Sequence, residues 1–183
     1  MIKRALCALS ARWSSWPQLV CHQVGWWACV VWMGWAGPAV MIAFIGLHLY
    51  IVRERMGREL ILVSAAAIIG TVLDSSLAVT GAVSYVGSLK VWASPFWLVA
   101  IWAGFGATLL HSQSMLVRNR MISILTGALG GPAAYWGGER LERMSVNSEM
   151  GWVAVSATWT AALIILGELA TRLRRSSPAQ VDD

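Results

Sequence analysis

The amino-acid sequence predicts an all-α membrane protein, a polytopic helical bundle of about six transmembrane helices with both termini in the cytoplasm. Hydrophobic residues make up 57% of its 183 residues and charged residues 13%, whereas a soluble domain carries about 25% charge. The apolar residues form long runs, and the basic residues form short clusters between them. This composition excludes a cytosolic enzyme, a disordered chain and a disulfide-stapled secreted module.

Six apolar runs divide the chain into three parts. Residues 1–18 are predicted to be an interfacial segment, because their apolar stretch is short and is interrupted by Arg12, unlike a cleaved signal peptide. Residues 19–171 form the transmembrane domain, and the polar tail, residues 172–183, is expected to be disordered in the cytoplasm. The six runs are residues 19–35, 38–52, 60–85, 95–117, 121–136 and 150–170.

Glycine and proline mark where several of these helices begin or bend. Gly37 and Pro38 predict a tight turn between the first two runs, and Pro95 is well placed to open the fourth. The fifth run is interrupted by a Gly-Gly-Pro sequence that ends at Pro132. Because Pro132 lacks a backbone N–H, we expect a kink there, with the freed carbonyl satisfied by a neighbouring helix or polar side chain.

The distribution of basic residues predicts the orientation of the helices. If successive runs alternate in direction, one face carries Lys3, Arg4, Arg12, Arg53, Arg55, Arg58, Arg118, Arg120, Arg172, Arg174 and Arg175. The other face carries only Lys90, Arg140 and Arg143. The positive-inside rule places the first face in the cytoplasm. Tryptophans agree, since Trp32, Trp35, Trp92, Trp97, Trp136 and Trp152 fall near the outer interface, where indole rings prefer to lie.

The net charge of +5 and the cysteines point to no further partner or cofactor. Basic clusters beside apolar runs favour anionic lipid headgroups over nucleic acid. Cys7, Cys21 and Cys29 form no C-x-x-C pair, and the last two lie about 12 Å apart on one helix, too far for a disulfide. The sequence also lacks nucleotide-binding and hydrolase motifs, so no cofactor is predicted.

Ionisable side chains at membrane depth are candidates for function, because inserting one costs roughly 2.5–3.5 kcal/mol. Asp74 is predicted about 21 Å above the cytoplasmic edge, with Tyr135 at a similar height. His48 and His111 are predicted near that edge. Two interpretations of Asp74 remain open. It is either a structural carboxylate held by Tyr135 or Arg140, or a functional one that carries a proton or anchors a substrate.

An inner layer of polar side chains raises the question of a metal ion. It contains His22, His48, His111, Gln23 and Ser112. Imidazoles suit zinc, copper or iron, but metal-binding histidines usually have a carboxylate partner. The acidic residue predicted near this layer is Glu168, which is expected to pair with Arg172 at i,i+4. We therefore expect histidines that hydrogen-bond across helices, and no metal site.

An ordered set of short motifs runs through the apolar segments. They are QVGWWACV from Gln23, LHL around His48, GTVLDS ending at Ser75, PFWL from Pro95, HS at His111, GALGGPAAY ending at Tyr135, and GERL from Gly138. Together they resemble a small bacterial family, domain of unknown function 2878, over about residues 19–170. The family pattern often has Asn before the histidine–serine pair. Leu110 stands there in this chain, which weakens the prediction of a polar cluster at that point.

The resemblance implies a multi-pass protein of the bacterial inner membrane and assigns no activity. It singles out Gln23, Trp26, His48, Asp74, His111, Ser112, Gly131, Pro132 and Tyr135. Members of the family occur beside fatty-acid-modifying methyltransferases and flavin oxidoreductases, which implies a membrane-embedded accessory in lipid or fatty-acid modification. A small proton-coupled transporter and a non-catalytic scaffold or assembly partner for other membrane proteins remain open as alternatives, as does the question whether the protein is an enzyme.

The candidate residues follow from the polar layers and the motifs. The candidate catalytic residues are Asp74, His48, His111 and Tyr135, and the candidate substrate-binding residues are Gln23, Trp26, Ser112, Glu139 and Arg140. The expected partners are the lipid bilayer, and either a lipid substrate or other membrane proteins.

Overall fold

The computed structural model describes Trp13 and residues 16–176, and this part of the chain is mostly helical. The rest of the predicted interfacial segment and residues 177–183 of the predicted tail lie outside the described residues. The helices are α1 (Trp16–Val31), α2 (Ala36–Ile51), α3 (Met56–Val79), α4 (Phe96–Thr108), α5 (Ser114–Arg118), α6 (Arg120–Leu125), α7 (Gly131–Arg140) and α8 (Glu149–Arg175).

Two helical stretches are long and apolar enough to cross a membrane. They are Arg53–Val79, which joins a 3-10 turn (Arg53–Arg55) to α3, and Glu149–Arg175, which is α8. Each has 27 residues and therefore a length of about 40 Å, compared with a hydrocarbon core of about 30 Å. Helices α2 and α4 are apolar but shorter.

The helices follow the predicted apolar runs, with differences at their ends. The predicted run 95–117 is not one helix, because α4 ends at Thr108 and a turn over residues 109–113 precedes α5. The Thr108 carbonyl accepts hydrogen bonds from the backbone N–H groups of His111 and Gln113, which closes this turn. The predicted run 60–85 also ends early, at Val79, and its last residues form a strand.

The predicted interruption of the fifth run is a π turn, Thr126–Gly130, between α6 and α7. It lies just before Pro132, whose missing N–H would break an α-helical hydrogen bond at this point. Gly127 packs against the backbone of Thr160, and Gly131 packs against the ring of Trp159. The bend and the small residues therefore bring this segment close to α8.

Short strands and polar contacts tie the connections together at the two ends of the bundle. At one end, β1 (Val83–Tyr85) pairs antiparallel with β4 (Met144–Val146), and β2 (Lys90–Val91) pairs with β3 (Ser94–Pro95). At the other end, the Arg174 side chain donates to the Leu110 carbonyl. The connections that precede α4 and α8 therefore meet at the end opposite to the turn between α4 and α5.

Among the described helices, α3 and α4 share the most extensive contact, and this contact depends on glycine. A methyl group on Gly106 would overlap the Leu62 carbonyl and approach the Ala66 side chain, and one on Gly70 would overlap the Trp102 ring. Small residues let helices approach closely and gain van der Waals contact. This contact fixes the position of Trp102 against α3.

We predict that Gly106→Ala lowers the stability of the protein by about 1–3 kcal/mol, because the added methyl group overpacks the contact with α3. Gly46→Ala is the matched control, since nothing lies within 4 Å of its added methyl group, and alanine favours helix by up to about 1 kcal/mol. Thermal unfolding in detergent should show a lower Tm for the first variant only. Equal Tm values for the two variants would contradict the packing.

Candidate functional site

Asp74 is the centre of a buried cluster near the strand end of the bundle. The Tyr135 hydroxyl donates to Asp74 Oδ1 at 2.5 Å, and the Trp102 indole N–H donates to Oδ2 at 2.9 Å. The Tyr85 hydroxyl lies 3.0 Å from that of Tyr135. The carboxylate is 1% exposed, and both of its oxygens have a donor. The Tyr135 contact expected from the sequence is present, whereas Arg140 lies over the Trp136 ring.

The direction of the hydrogen bonds in this cluster can be assigned. Tyr135 has one hydroxyl proton and donates it to Asp74, so Tyr85 must be the donor to Tyr135. Burial, together with the nearby Asp74 carboxylate, raises the pKa of Tyr85 above its usual value, which keeps that proton in place. The result is a chain of donors from β1 through α7 to α3.

A second buried cluster surrounds Glu59, at the other end of α3. His111 Nε2 lies 2.9 Å from Glu59 Oε1, and His48 Nε2 lies 3.4 Å from Oε2. Glu59 is 1% exposed. The expectation that Glu168 is the acidic residue near the histidines was wrong, because Glu59 occupies that place. Glu168 pairs with Arg172 at 2.9 Å on the surface, as predicted.

The sequence contains a pattern that indicates burial of Glu59, although the charged residues before it obscure this pattern. Glu59 lies on the buried face of α3, with Leu62, Ala66, Gly70 and Asp74. These residues recur at spacings of three and four, which defines one face of a helix. The periodicity therefore places both carboxylates of α3 on the face that meets the other helices, about 22 Å apart along the axis.

Gln18 determines which nitrogen of His48 carries the proton. Its Oε1 accepts from the Ser112 backbone N–H at 3.0 Å, and its Nε2 donates to the Ala107 carbonyl at 3.0 Å. These backbone partners fix the orientation of the amide. The second Nε2 proton then points at His48 Nδ1, also 3.0 Å away, and the Trp13 indole N–H donates to the same atom at 3.2 Å.

His48 is therefore a neutral imidazole with its proton on Nε2. A proton on Nδ1 would face two N–H donors, so Nδ1 must be the acceptor. Nε2–H then donates to Glu59. A histidine that binds a metal through Nε2 normally donates Nδ1–H to an oxygen, and His48 has the opposite arrangement. Although His48, Glu59 and His111 lie within 4.8 Å of one another, their hydrogen bonds favour a proton-linked cluster over a metal centre.

Between the two clusters lies a cavity, called the aromatic cavity below, in two adjoining parts of about 280 Å³ and about 30 Å³. Both parts are lined by Trp26, Ile101, Trp102, Ala134 and Trp159. His22, Gln23 and Phe105 line the larger part, and Tyr135 lines the smaller one. The cavity thus reaches two members of the Asp74 cluster, Trp102 and Tyr135, with α4 as its floor.

The other candidate residues are distributed over both ends. Gln23 and Trp26 lie on the aromatic cavity, next to residues of the Asp74 cluster. Ser112 contributes its backbone N–H to Gln18. Glu139 accepts a hydrogen bond from the Val146 N–H at 3.1 Å, so it holds β4 in place and does not line the cavity. Sequence reasoning missed Gln18, Tyr85, Trp102 and Trp159, since nothing local distinguishes them from interfacial or core residues.

The protein is therefore a mostly helical bundle with two buried, hydrogen-bonded carboxylates and an aromatic cavity. The family model described as a protein of unknown function (DUF2878) matches residues 15–165, and the chain belongs to this family. No curated protein and no solved structure matches the chain.

We predict that the purified protein binds less than one equivalent of zinc, copper or iron. The two N–H donors to His48 Nδ1 keep the ring proton on Nε2, so Nε2 has no lone pair free to bind a metal ion. Elemental analysis after purification without chelators, and after incubation with each ion, measures this. His48→Ala is the control. One ion per chain in the wild type, lost in this variant, would contradict the assigned tautomer.

Proposed function

We propose that this protein spans the bacterial inner membrane several times, with about six helical passes and both termini in the cytoplasm. Helices α3 and α8 are each long enough to cross, and the shorter helices run beside them. The strand end of the bundle carries Lys90, Arg140 and Arg143, whereas Arg58, Arg118 and Arg174 belong to the opposite end. The positive-inside rule assigns the second end to the cytoplasm.

Reporter fusions test this topology. Alkaline phosphatase fused after Lys90 or after Met144 is expected to be active, because both positions lie at the end with few basic residues. The same enzyme fused after Arg55 is the control and is expected to be inactive. Phosphatase that is inactive after Lys90 or Met144 would overturn the proposed orientation.

Within the membrane, the protein acts as an accessory in lipid or fatty-acid modification, and the aromatic cavity is its acyl-chain site. The observation that carries this proposal is how the helices around the cavity pack. Helix α1 packs against α2 and α4, whereas α8 packs against α3, α5, α6 and α7. The cleft between α1 and α8 is thus floored by α4 and faces the bilayer sideways, so a lipid chain can enter without leaving the membrane.

The lining of the cleft suits an acyl chain. Ligand sites are mostly apolar with a few placed polar groups, and here tryptophan, isoleucine, phenylalanine and alanine form the walls. Tyr135 brings the Asp74 cluster to the wall of the cavity. A chain in this cleft would lie beside Tyr135, which is hydrogen-bonded to the buried Asp74 carboxylate and to the Tyr85 hydroxyl and therefore connects the chain to groups that can hold or move a proton.

Filling the cavity tests the proposal. Ala134 lines both parts of the cavity, so Ala134→Phe should exclude an acyl chain. Ala133→Phe is the matched control, because the preceding residue is exposed. In a deletion strain that carries each variant, we expect the whole-cell lipid profile of Ala134→Phe to match that of the deletion, and that of Ala133→Phe to match the wild type. Acyl lipid that co-purifies with the protein should fall several-fold in Ala134→Phe only.

The alternatives predict different results. An unchanged lipid profile in the deletion strain, with no acyl lipid on the purified wild-type protein, would overturn the proposal. Loss of proton-coupled uptake in an Asp74→Asn strain would then favour a transporter. No change in either assay would favour a scaffold for other membrane proteins.

A further inference from the structure

A second cavity, called the basic groove below, lies between α8 and the chain of α5 and α6. Its volume is about 280 Å³. No residue that lines it also lines the aromatic cavity, so the two are separate sites. Its walls include Leu116, Val117, Arg120, Ile164, Glu168 and Thr171.

One face of α8 forms a wall of the groove and continues to the end of the helix. Ile164, Glu168 and Thr171 lie on the groove at spacings of four and three, which places them on one helix face. Arg175 follows Thr171 by four residues and therefore lies on the same face, one turn further on. The groove is thus apolar at the Ile164 end and opens towards Arg175 at the other.

The charges at the Arg175 end do not balance among the described residues. Glu168, the carboxylate on the groove, pairs with Arg172 at 2.9 Å. Within the part of the chain that the structure describes, neither Arg120 nor Arg175 forms a salt bridge. Two positive charges therefore remain at this end of the groove, and both side chains are exposed.

The stability of the helices does not explain both of these arginines. Arg175 lies in the last turn of α8, where the helix dipole favours a cation. Arg120 is the first residue of α6, where the dipole disfavours one. A bound anion would offset the unfavourable position of Arg120.

The place of the groove in the bundle favours a phospholipid over a soluble anion. In the proposed topology, its arginine end meets the cytoplasmic leaflet, whose anionic lipids attract basic residues. Ile164 lies about 16 Å along α8 from Arg175, about half of a hydrocarbon core of about 30 Å. The apolar wall therefore reaches the depth of the acyl chains while the arginines stay at the level of the headgroups.

We infer that the basic groove binds one anionic phospholipid of the cytoplasmic leaflet. Arg120 and Arg175 contact its phosphate, and Leu116, Val117 and Ile164 contact the first part of an acyl chain. Basic sites between membrane helices on the cytoplasmic side bind anionic headgroups in the same way. The inference rests on the proposed topology and is independent of the proposed acyl-chain site.

Lipid binding to the purified full chain in detergent tests this site. The probes are dioleoylphosphatidylglycerol, which is anionic, and dioleoylphosphatidylcholine, which has the same chains and no net charge. Titrations followed by native mass spectrometry give the apparent Kd of each lipid. We expect the wild type to bind the anionic lipid about five- to twentyfold more tightly, since each basic residue near an anionic lipid contributes about fivefold.

Loss of either arginine should reduce this preference. Arg120→Gln and Arg175→Gln should each weaken binding of the anionic lipid about fivefold. Unchanged binding of phosphatidylcholine shows that each variant is folded. Arg55→Gln is the matched control, because Arg55 is exposed at the same end of the bundle and does not line the groove. It should keep the wild-type preference.

Three results would overturn the inference. They are equal affinity of the wild type for the two lipids, an equal loss of affinity in Arg55→Gln, and displacement of the bound lipid by an equal concentration of inorganic phosphate, which would indicate a site for a free anion. Ala134→Phe should keep the preference, because Ala134 lines only the aromatic cavity. The phosphatase fusions test the topology separately, so a wrong orientation and an absent lipid site give different results.

Discussion

Two carboxylates buried on a single apolar helix govern how the rest of the chain is arranged. Glu59 and Asp74 lie on the buried face of α3, and each needs hydrogen-bond donors, because a buried carboxylate without partners is costly. The donors come from every side: imidazoles from α2 and from the turn after α4, an indole from α4, and a tyrosine hydroxyl from α7. Removing any of these elements would leave part of a carboxylate unpaired, so the hydrogen bonds to Glu59 and Asp74 fix the positions of these elements against α3.

The predictions from the sequence were right where a feature depends on residues that are close together in the chain. Apolar runs and proline positions predict the helices because the lipid or core environment selects them locally. The similar heights of Asp74 and Tyr135 follow from counting residues at a constant rise. These heights made Tyr135 one of two expected partners of Asp74, and the structure has the Tyr135 contact. Glu168 and Arg172 lie on adjacent turns of one helix, so their pairing needs no knowledge of the fold.

The predictions that failed depend on how helices are rotated against one another. Glu59 follows a charged segment, and only its alignment with Ala66 and Gly70 shows that it turns inward. The early end of α4 has no strong local cause, because no proline or glycine follows Thr108 directly. That turn brings the His111 ring to Glu59 and the Ser112 N–H to Gln18. The position of this turn depends on partners that are distant in sequence, so helix propensity does not predict it.

The polar contacts also explain how a cavity persists in a bundle whose helices would otherwise close on it. Gln18 ties one end of α1 to the turn after α4, and Arg143 donates to the Val30 carbonyl at the other end at 2.8 Å. Trp102 is held between Gly70 and Asp74, so its ring cannot swing into the space. Because α1 is held at both ends and the floor is fixed, the gap towards α8 stays open. A structural role for Asp74 and a functional one are therefore compatible, since the carboxylate that positions Trp102 also positions Tyr135 on the cavity wall.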